Sequence, residues 1–135
     1  PRSSTRIVTV MALETGLAGT AEMEVGDADT AISIGSGEVP VLATPRLIAL
    51  CEAAAMRAVN GYVSDDSTTV GFRVQLDHLA PSAVGSTVTA SAKLEKVEGR
   101  RLKFSVSVSD ARGLVAAGKV TRVVVERDRF MEKCL

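Results

Sequence analysis

The chain has 135 residues, 46% of them apolar, with 16 basic and 16 acidic side chains and no net charge. That length and apolar content fit a single domain with its own core and exclude a disordered chain. Zero net charge removes the long-range field that draws a protein to nucleic acid or to an anionic membrane, and three Phe, one Tyr and no Trp leave few rings for base stacking.

In chain order, residues 1–6 are polar and are expected to form a flexible tail. Residues 7–11 (IVTVM) read as a short strand. From Gly19 to Val25 the pattern alternates, with Ala21, Met23 and Val25 against Thr20, Glu22 and Glu24, as in a half-buried strand. Gly26–Asp29 reads as a turn. Residues 31–43 contain Gly35, Gly37 and Pro40 and show no period, so a loop lying over a site is expected there.

Residues 44–61 read as one helix. Thr44 is the expected N-cap, Pro45 suits the first helical position, and Gly61 suits a left-handed stop. Between them, apolar residues fall on every side, including Leu47, Ile48, Leu50, Cys51, Ala55, Met56 and Val59. A helix apolar all round is a buried one. Glu52 sits in its middle, where a carboxylate is costly unless it is paired or protonated.

A polar loop at 64–67 leads to four strand-like runs. The first places Val70, Phe72, Val74, Leu76 and His78 on one face. The second places Val88, Ala90, Ala92 and Leu94 together, and the third turns Leu102, Phe104, Val106 and Val108 inward. The fourth, Val115–Val125, is apolar on both faces towards its end, as in a strand buried on both sides. Residues 98–101 (EGRR) and 110–113 (DARG) read as hairpin turns. A charged, flexible tail is expected at 128–135.

A strand, a long buried helix and then an antiparallel meander define one α+β domain over residues 1–135. A sheet with one apolar face needs cover, and a helix apolar on all sides needs a sheet curled round it. The expected architecture is a hot-dog fold, with about five antiparallel strands wrapped around one long central helix. One such sheet leaves part of that helix uncovered, so a homodimer is expected. Cys51 and Cys134 have no metal-ligand spacing, and two reduced cysteines are expected. No apolar run approaches the roughly 18 residues of a membrane span. The N-terminal PRSSTRIVTV lacks the long apolar segment of a secretory signal, so a cytoplasmic protein without membrane or nucleic-acid partners is expected.

Several residues stand in one order along the chain: Ala43-Thr44 at the helix start, Glu52 eight positions on, Gly71 with His78 seven positions after it, the run Val97-Glu98-Gly99-Arg100-Arg101-Leu102, and Arg122 in the last strand. On these the segment from Val41 to Arg122 resembles the hot-dog thioesterases, and most closely the fluoroacetyl-CoA thioesterase type. The resemblance implies hydrolysis of an acyl-CoA or acyl-carrier thioester by Thr44, Glu52 and His78, with Gly71 and Arg122 lining the substrate site. It implies no metal and no cofactor, CoA entering only as part of the substrate. Selectivity for fluoroacetyl-CoA goes with phenylalanines in the segment before the helix. Here Ser33–Glu38 has no aromatic residue, so the resemblance extends to thioester chemistry and not to the fluorinated substrate.

Thioester hydrolysis needs a base or nucleophile, donors for the oxyanion, and a proton for the leaving thiolate. Glu52 suits the first role. His78, the one histidine, suits proton sharing or protonation of the thiolate. Thr44 offers a hydroxyl beside the N–H groups of a helix start. Thr44 and Glu52 stand about 12 Å apart along the helix, so a shared site must lie along it, closed by a second subunit. Gly71 suits close approach of substrate to backbone, and Arg122 suits pairing with Glu52 or contact with the substrate. Arg100 and Arg101 lie in a hairpin turn, where they are most simply solvated but are also placed to meet CoA phosphates. Two alternatives remain open: a non-catalytic acyl-CoA binding or sensing module, and a hot-dog hydratase or dehydratase, whose usual His-before-helix pattern is absent.

Overall fold

The structure, a computed structural model, describes residues 13–135. The strand expected at 7–11 and the tail at 1–6 lie outside the described residues. The elements are β1 (Ala18–Glu24), a 3-10 turn (Asp27–Asp29), α1 (Ala31–Ile34), α2 (Thr44–Ala58), β2 (Ser67–His78), β3 (Thr87–Glu98), β4 (Arg101–Asp110), β5 (Gly113–Glu126) and α3 (Arg127–Glu132). The last is a short helix where a charged tail is expected.

Five antiparallel strands form one sheet in the order β1-β3-β4-β5-β2. Strands β3, β4 and β5 are the expected meander, closed by two-residue turns; Gly99 (φ 61°) within the first and Gly113 (φ 126°), which opens β5 after the second, take positive φ. Strand β2 does not join them as their neighbour in sequence. It pairs with β5 at the far edge, and the segment after His78 carries the chain back across to β3 beside β1. A run of alternating residues specifies a strand but not its neighbour, and only the tertiary arrangement decides that.

The sheet buries Val88, Ala90, Ala92, Leu94, Leu102, Phe104, Val106, Val108 and Val120 against α2, whose Leu47, Leu50, Cys51, Ala54, Ala55 and Ala58 complete the core. Strand β1 approaches α2 most closely at Gly19. A Cβ there would collide with the Ala54 carbonyl and the Ala58 backbone.

The helix differs from expectation in three ways. Its N-cap is Ala43, and Thr44 is already helical, so its hydroxyl makes no cap bond. It ends at Ala58, and Gly61, with φ 85°, turns the chain after it. One face is uncovered in the single chain: Met56 is 47% exposed, and Ile48, Glu52 and Ala53 are only partly covered. Each sheet strand has a neighbour on both sides except β1 and β2. The open helix face and the free edges of β1 and β2 are therefore unpartnered among the described residues.

Candidate active site

Strand β2 contains the feature that arranges the site. Its pairing with β5 slips by one residue between Gly71 and Arg73, leaving Phe72 as a bulge. A bulge reverses the side-chain parity of a strand. Before it, Thr69 and Gly71 face α2. After it, Val74, Leu76 and His78 do, opposite Val120, Gly118 and Ala116. The expected single face from Val70 to His78 is therefore broken, and Val70 and Phe72 lie on the outer face of the sheet. Without the bulge, Gly71 and His78 would point to opposite sides.

Glu52, in the middle of α2, meets Arg122 of β5. The Arg122 Nη1–H donates to Glu52 Oε2 at 2.7 Å. The same guanidinium donates from Nε to Thr69 Oγ1 at 3.0 Å and from Nη2 to the Thr69 carbonyl at 2.8 Å. Arg122 is 6% exposed in its side chain, whereas Glu52 is 30% exposed. Burial pulls the guanidinium below its ordinary range, and the charge and hydrogen bond of Glu52 pull it back. It remains a cation, because arginine does not deprotonate in proteins. Gly71 lies across the strand from Arg122, and a Cβ there would strike Glu52 Oε2 and stand 3.6 Å from Arg122 Nη1. Glycine is required at this position for space, so that the carboxylate can lie against the backbone of β2.

Thr44 and His78 form the second group. The Thr44 hydroxyl is 2.8 Å from His78 Nδ1, donating to it or accepting from it according to the tautomer. His78 Nε2 is buried and has no partner among the described residues. The pair opens into a cleft of about 330 Å³, walled by Ser36, Gly37, Val39 and Leu42 on one side and by Leu79 and Pro81 on the other. The segment 31–43 is thus a wall beside the site, pinned by bridges from Thr30 to Leu42 and from Val41 to Ala83. Its α1 turn is capped by Thr30, which accepts from Ser33 N at 3.3 Å.

Within one chain, then, the five residues singled out from the sequence fall into two groups. Thr44 and His78 are together, and Glu52, Gly71 and Arg122 are together; the two groups are separated along α2 by about 12 Å. Thr69 is the participant that sequence reasoning missed. Its signal is its place two residues before Gly71, which puts both on one strand face. Among the described residues no group of three or more His, Cys, Asp or Glu is arranged to hold a metal ion.

A five-stranded antiparallel sheet curled over one helix, with a Thr–His pair at the helix start and a carboxylate against a buried arginine in its middle, defines a hot-dog protein. The profile of fluoroacetyl-CoA-specific thioesterases matches residues 25–128. The fluoroacetyl-CoA thioesterase of Streptantibioticus cattleyicolor is 34% identical over 93 residues, which span 69% of this chain and 67% of that one. A solved structure of the fluoroacetyl-CoA thioesterase FlK superposes with a TM-score of 0.86 at 28% identity, covering 91% of this chain and 96% of that one. A hot-dog-like protein from Thermanaerovibrio acidaminovorans shares the fold, with a TM-score of 0.80 at 24% identity and 89% of each chain covered. The chain belongs to the fluoroacetyl-CoA-specific thioesterase family.

Proposed function

We propose that the chain is a homodimeric acyl-CoA thioesterase whose site is shared between two copies, Thr44 and His78 of one facing Glu52, Gly71 and Arg122 of the other. The observation that carries this reading is the separation of the two groups. Each is a well-formed half of a hydrolytic site, yet within one chain they stand too far apart to act on one carbonyl. Each lies next to an unpartnered surface, the face of α2 or the edge of β2, and a two-fold partner covering both surfaces brings one half opposite the other. The family's named members act on a CoA thioester, and a variant of one was solved with fluoroacetate and CoA bound.

In this reading Glu52 takes a proton from the water that attacks the thioester carbonyl, or attacks the carbonyl itself to form a mixed anhydride that water then hydrolyses to the free acid. Arg122 fixes the carboxylate, so that one oxygen is held and the other is free to react. The oxyanion receives hydrogen bonds from the Thr44 hydroxyl and the N–H groups at the start of α2. The C–S bond then breaks and His78 gives a proton to the thiolate, the proton taken from water replacing it, so that CoA and, once water has been consumed, the free acid leave. The cleft beside Thr44 has no aromatic wall, which supports an unfluorinated acyl group. Both cysteines are free, which supports a reducing, cytoplasmic setting.

A thiol-release assay over short, long, branched and aromatic acyl-CoA esters, run beside His78→Ala, tests the reading. Hydrolysis that disappears in the variant supports it. No hydrolysis across the panel, together with thermal stabilisation by CoA esters, replaces it with the binding module. Light scattering tests the shared site separately, and a stable monomer at micromolar concentration overturns that part.

A further inference from the structure

The start of α2 has no side chain of its own to steer it. Ala43 at the N-cap makes no cap bond, the Thr44 hydroxyl is turned to His78, and Pro45 has no N–H. The first long side chain of the helix is Arg46. It reaches out of the helix to Asp29, at the end of the 3-10 turn, and its Nε–H donates to Asp29 Oδ1 at 3.1 Å. Asp29 is itself held on two further sides. Its Oδ2 accepts from Gly26 N at 2.8 Å, and its main-chain carbonyl accepts from Ala43 N at 2.9 Å. Asp29 therefore meets the chain immediately before Thr44 through its backbone and just after Thr44 through its side chain.

Stability does not account for the pair. A cation in the first turn opposes the helix dipole. The ion pair that offsets this cost has side chains 38% and 21% exposed, and pairs so close to solvent contribute little. Orientation does account for it. The bonds from Ala43 N to Asp29 and from Leu42 N to the Ser82 carbonyl fix where the helix begins. The Arg46–Asp29 bond adds a point beyond Thr44, and two points fix the direction in which the Thr44 hydroxyl leaves the helix. That direction ends 2.8 Å from His78 Nδ1. Neither Asp29 nor Arg46 is among the residues walling the cleft beside Thr44 and His78, so the pair acts through Thr44 and not on the substrate.

We infer that Asp29 and Arg46 are positioning residues that set the Thr44 hydroxyl on His78. The inference rests on the thioesterase reading for what Thr44 does there, and adds what holds it in place.

The test measures kcat, KM and Tm of Arg46→Met with whichever acyl-CoA wild type hydrolyses. Loss of an unfavourably placed cation is expected to leave Tm unchanged or raised. Misplacement of the hydroxyl is expected to lower kcat about tenfold with KM within about twofold, as for an interaction made in the transition state. Arg46→Lys keeps the charge without the directional Nε–H and is expected to recover part of the loss. In a Thr44→Ala background Arg46→Met is expected to cost nothing further, because the group it positions is gone. Wild-type kcat in Arg46→Met, or the same loss repeated in Thr44→Ala, overturns the inference and leaves the thioesterase reading intact. So does a raised KM at unchanged kcat, which makes Arg46 a substrate contact. Asp29→Asn probes the pair from its other side and decides the matter by the same criteria if Arg46→Met does not fold. Should wild type hydrolyse no thioester, that reading fails and the geometry is still decided by nitrogen NMR of the His78 ring, since His78 is the one histidine. Arg46→Met is expected to move the Nδ1 resonance towards its position in Thr44→Ala; a ring spectrum identical to that of wild type overturns the inference.

Discussion

Replacing Arg122 with Met separates what the buried arginine does for the fold from what it does for the site. Three donors are lost, to Glu52 Oε2, Thr69 Oγ1 and the Thr69 carbonyl. Taken singly, hydrogen bonds to a charged group contribute about 1.5–3 kcal/mol each, which sets an upper bound well above the expected effect. Glu52 is 30% exposed in its side chain and regains water once unpaired, which reduces its share. Methionine also fills much of the volume without a charge to desolvate. The two Thr69 oxygens are left without their donor at about 1–3 kcal/mol for each buried group. The net loss is expected near 3 kcal/mol. At about 2.1 cal/mol/K per residue, the unfolding entropy of a chain this size is about 0.28 kcal/mol/K, so Tm falls by about 10 °C. Thermal melts followed by circular dichroism measure this, and urea titration checks it at constant temperature. Arg122→Lys keeps the charge but not the fork and is expected to fall between the two. If Arg122→Met melts with the wild type, the Arg122–Thr69 anchor does not hold β2 to β5, and the account of the site as a rigid carboxylate seat is wrong.

Glu52→Gln retains an acceptor for Arg122 Nη1 and removes the base, so kcat is expected to drop by about 100-fold or more with Tm nearly unchanged; normal turnover takes Glu52 out of the chemistry. In Gly71→Ala the new methyl meets the flexible end of Glu52 rather than backbone, so the protein folds but loses about tenfold in kcat by displacing the carboxylate. Gly19→Ala meets the backbone of Ala54 and Ala58, which cannot yield, and is expected to cost about 1–3 kcal/mol in urea unfolding. Burial, with the charge of Glu52 adding, pushes the Cys51 thiol up from 9.0 to about 11. Native protein is therefore expected to take one iodoacetamide adduct at pH 8, on exposed Cys134, and two after denaturation. The native state keeps the Cys51 proton longer than the unfolded chain does, so this stabilisation is complete below pH 9 and lost as pH rises through about 11.

Most of the fold is legible in the residues themselves. The 98–101 and 110–113 turns carry their glycines where the left-handed conformations fall. The central helix shows its start through Pro45, though its end falls three residues before Gly61, and Arg122 stands out as a charge in an apolar strand. The Phe72 bulge is not legible, because Val70, Phe72, Val74, Leu76 and His78 keep an unbroken apolar alternation across it. A bulge changes the hydrogen-bond register without changing hydropathy. The same alternation hides Thr69, which faces the site only because the parity flips after it. Thr44 resembles a cap in sequence, but one residue of helix boundary decides whether its hydroxyl serves the backbone or His78. The neighbour of β2 is also beyond local pattern, since nothing in residues 67–78 names β5 rather than β3.

Strands β3, β4 and β5 are joined by two-residue turns and can form early from local contacts. Strand β2 must find β5 across the intervening β3 and β4, Ser67 against Glu126 and His78 against Ala116, and among the described residues it gains only that one neighbour. It is therefore the strand that docks late and opens first, and its amides exchange sooner than those of β4. Gly71 and His78 ride on that strand, so in a lone chain the site comes apart well before the fold does. Assembly with a second copy, by covering the β2 edge, would couple the persistence of the site to the concentration of the protein.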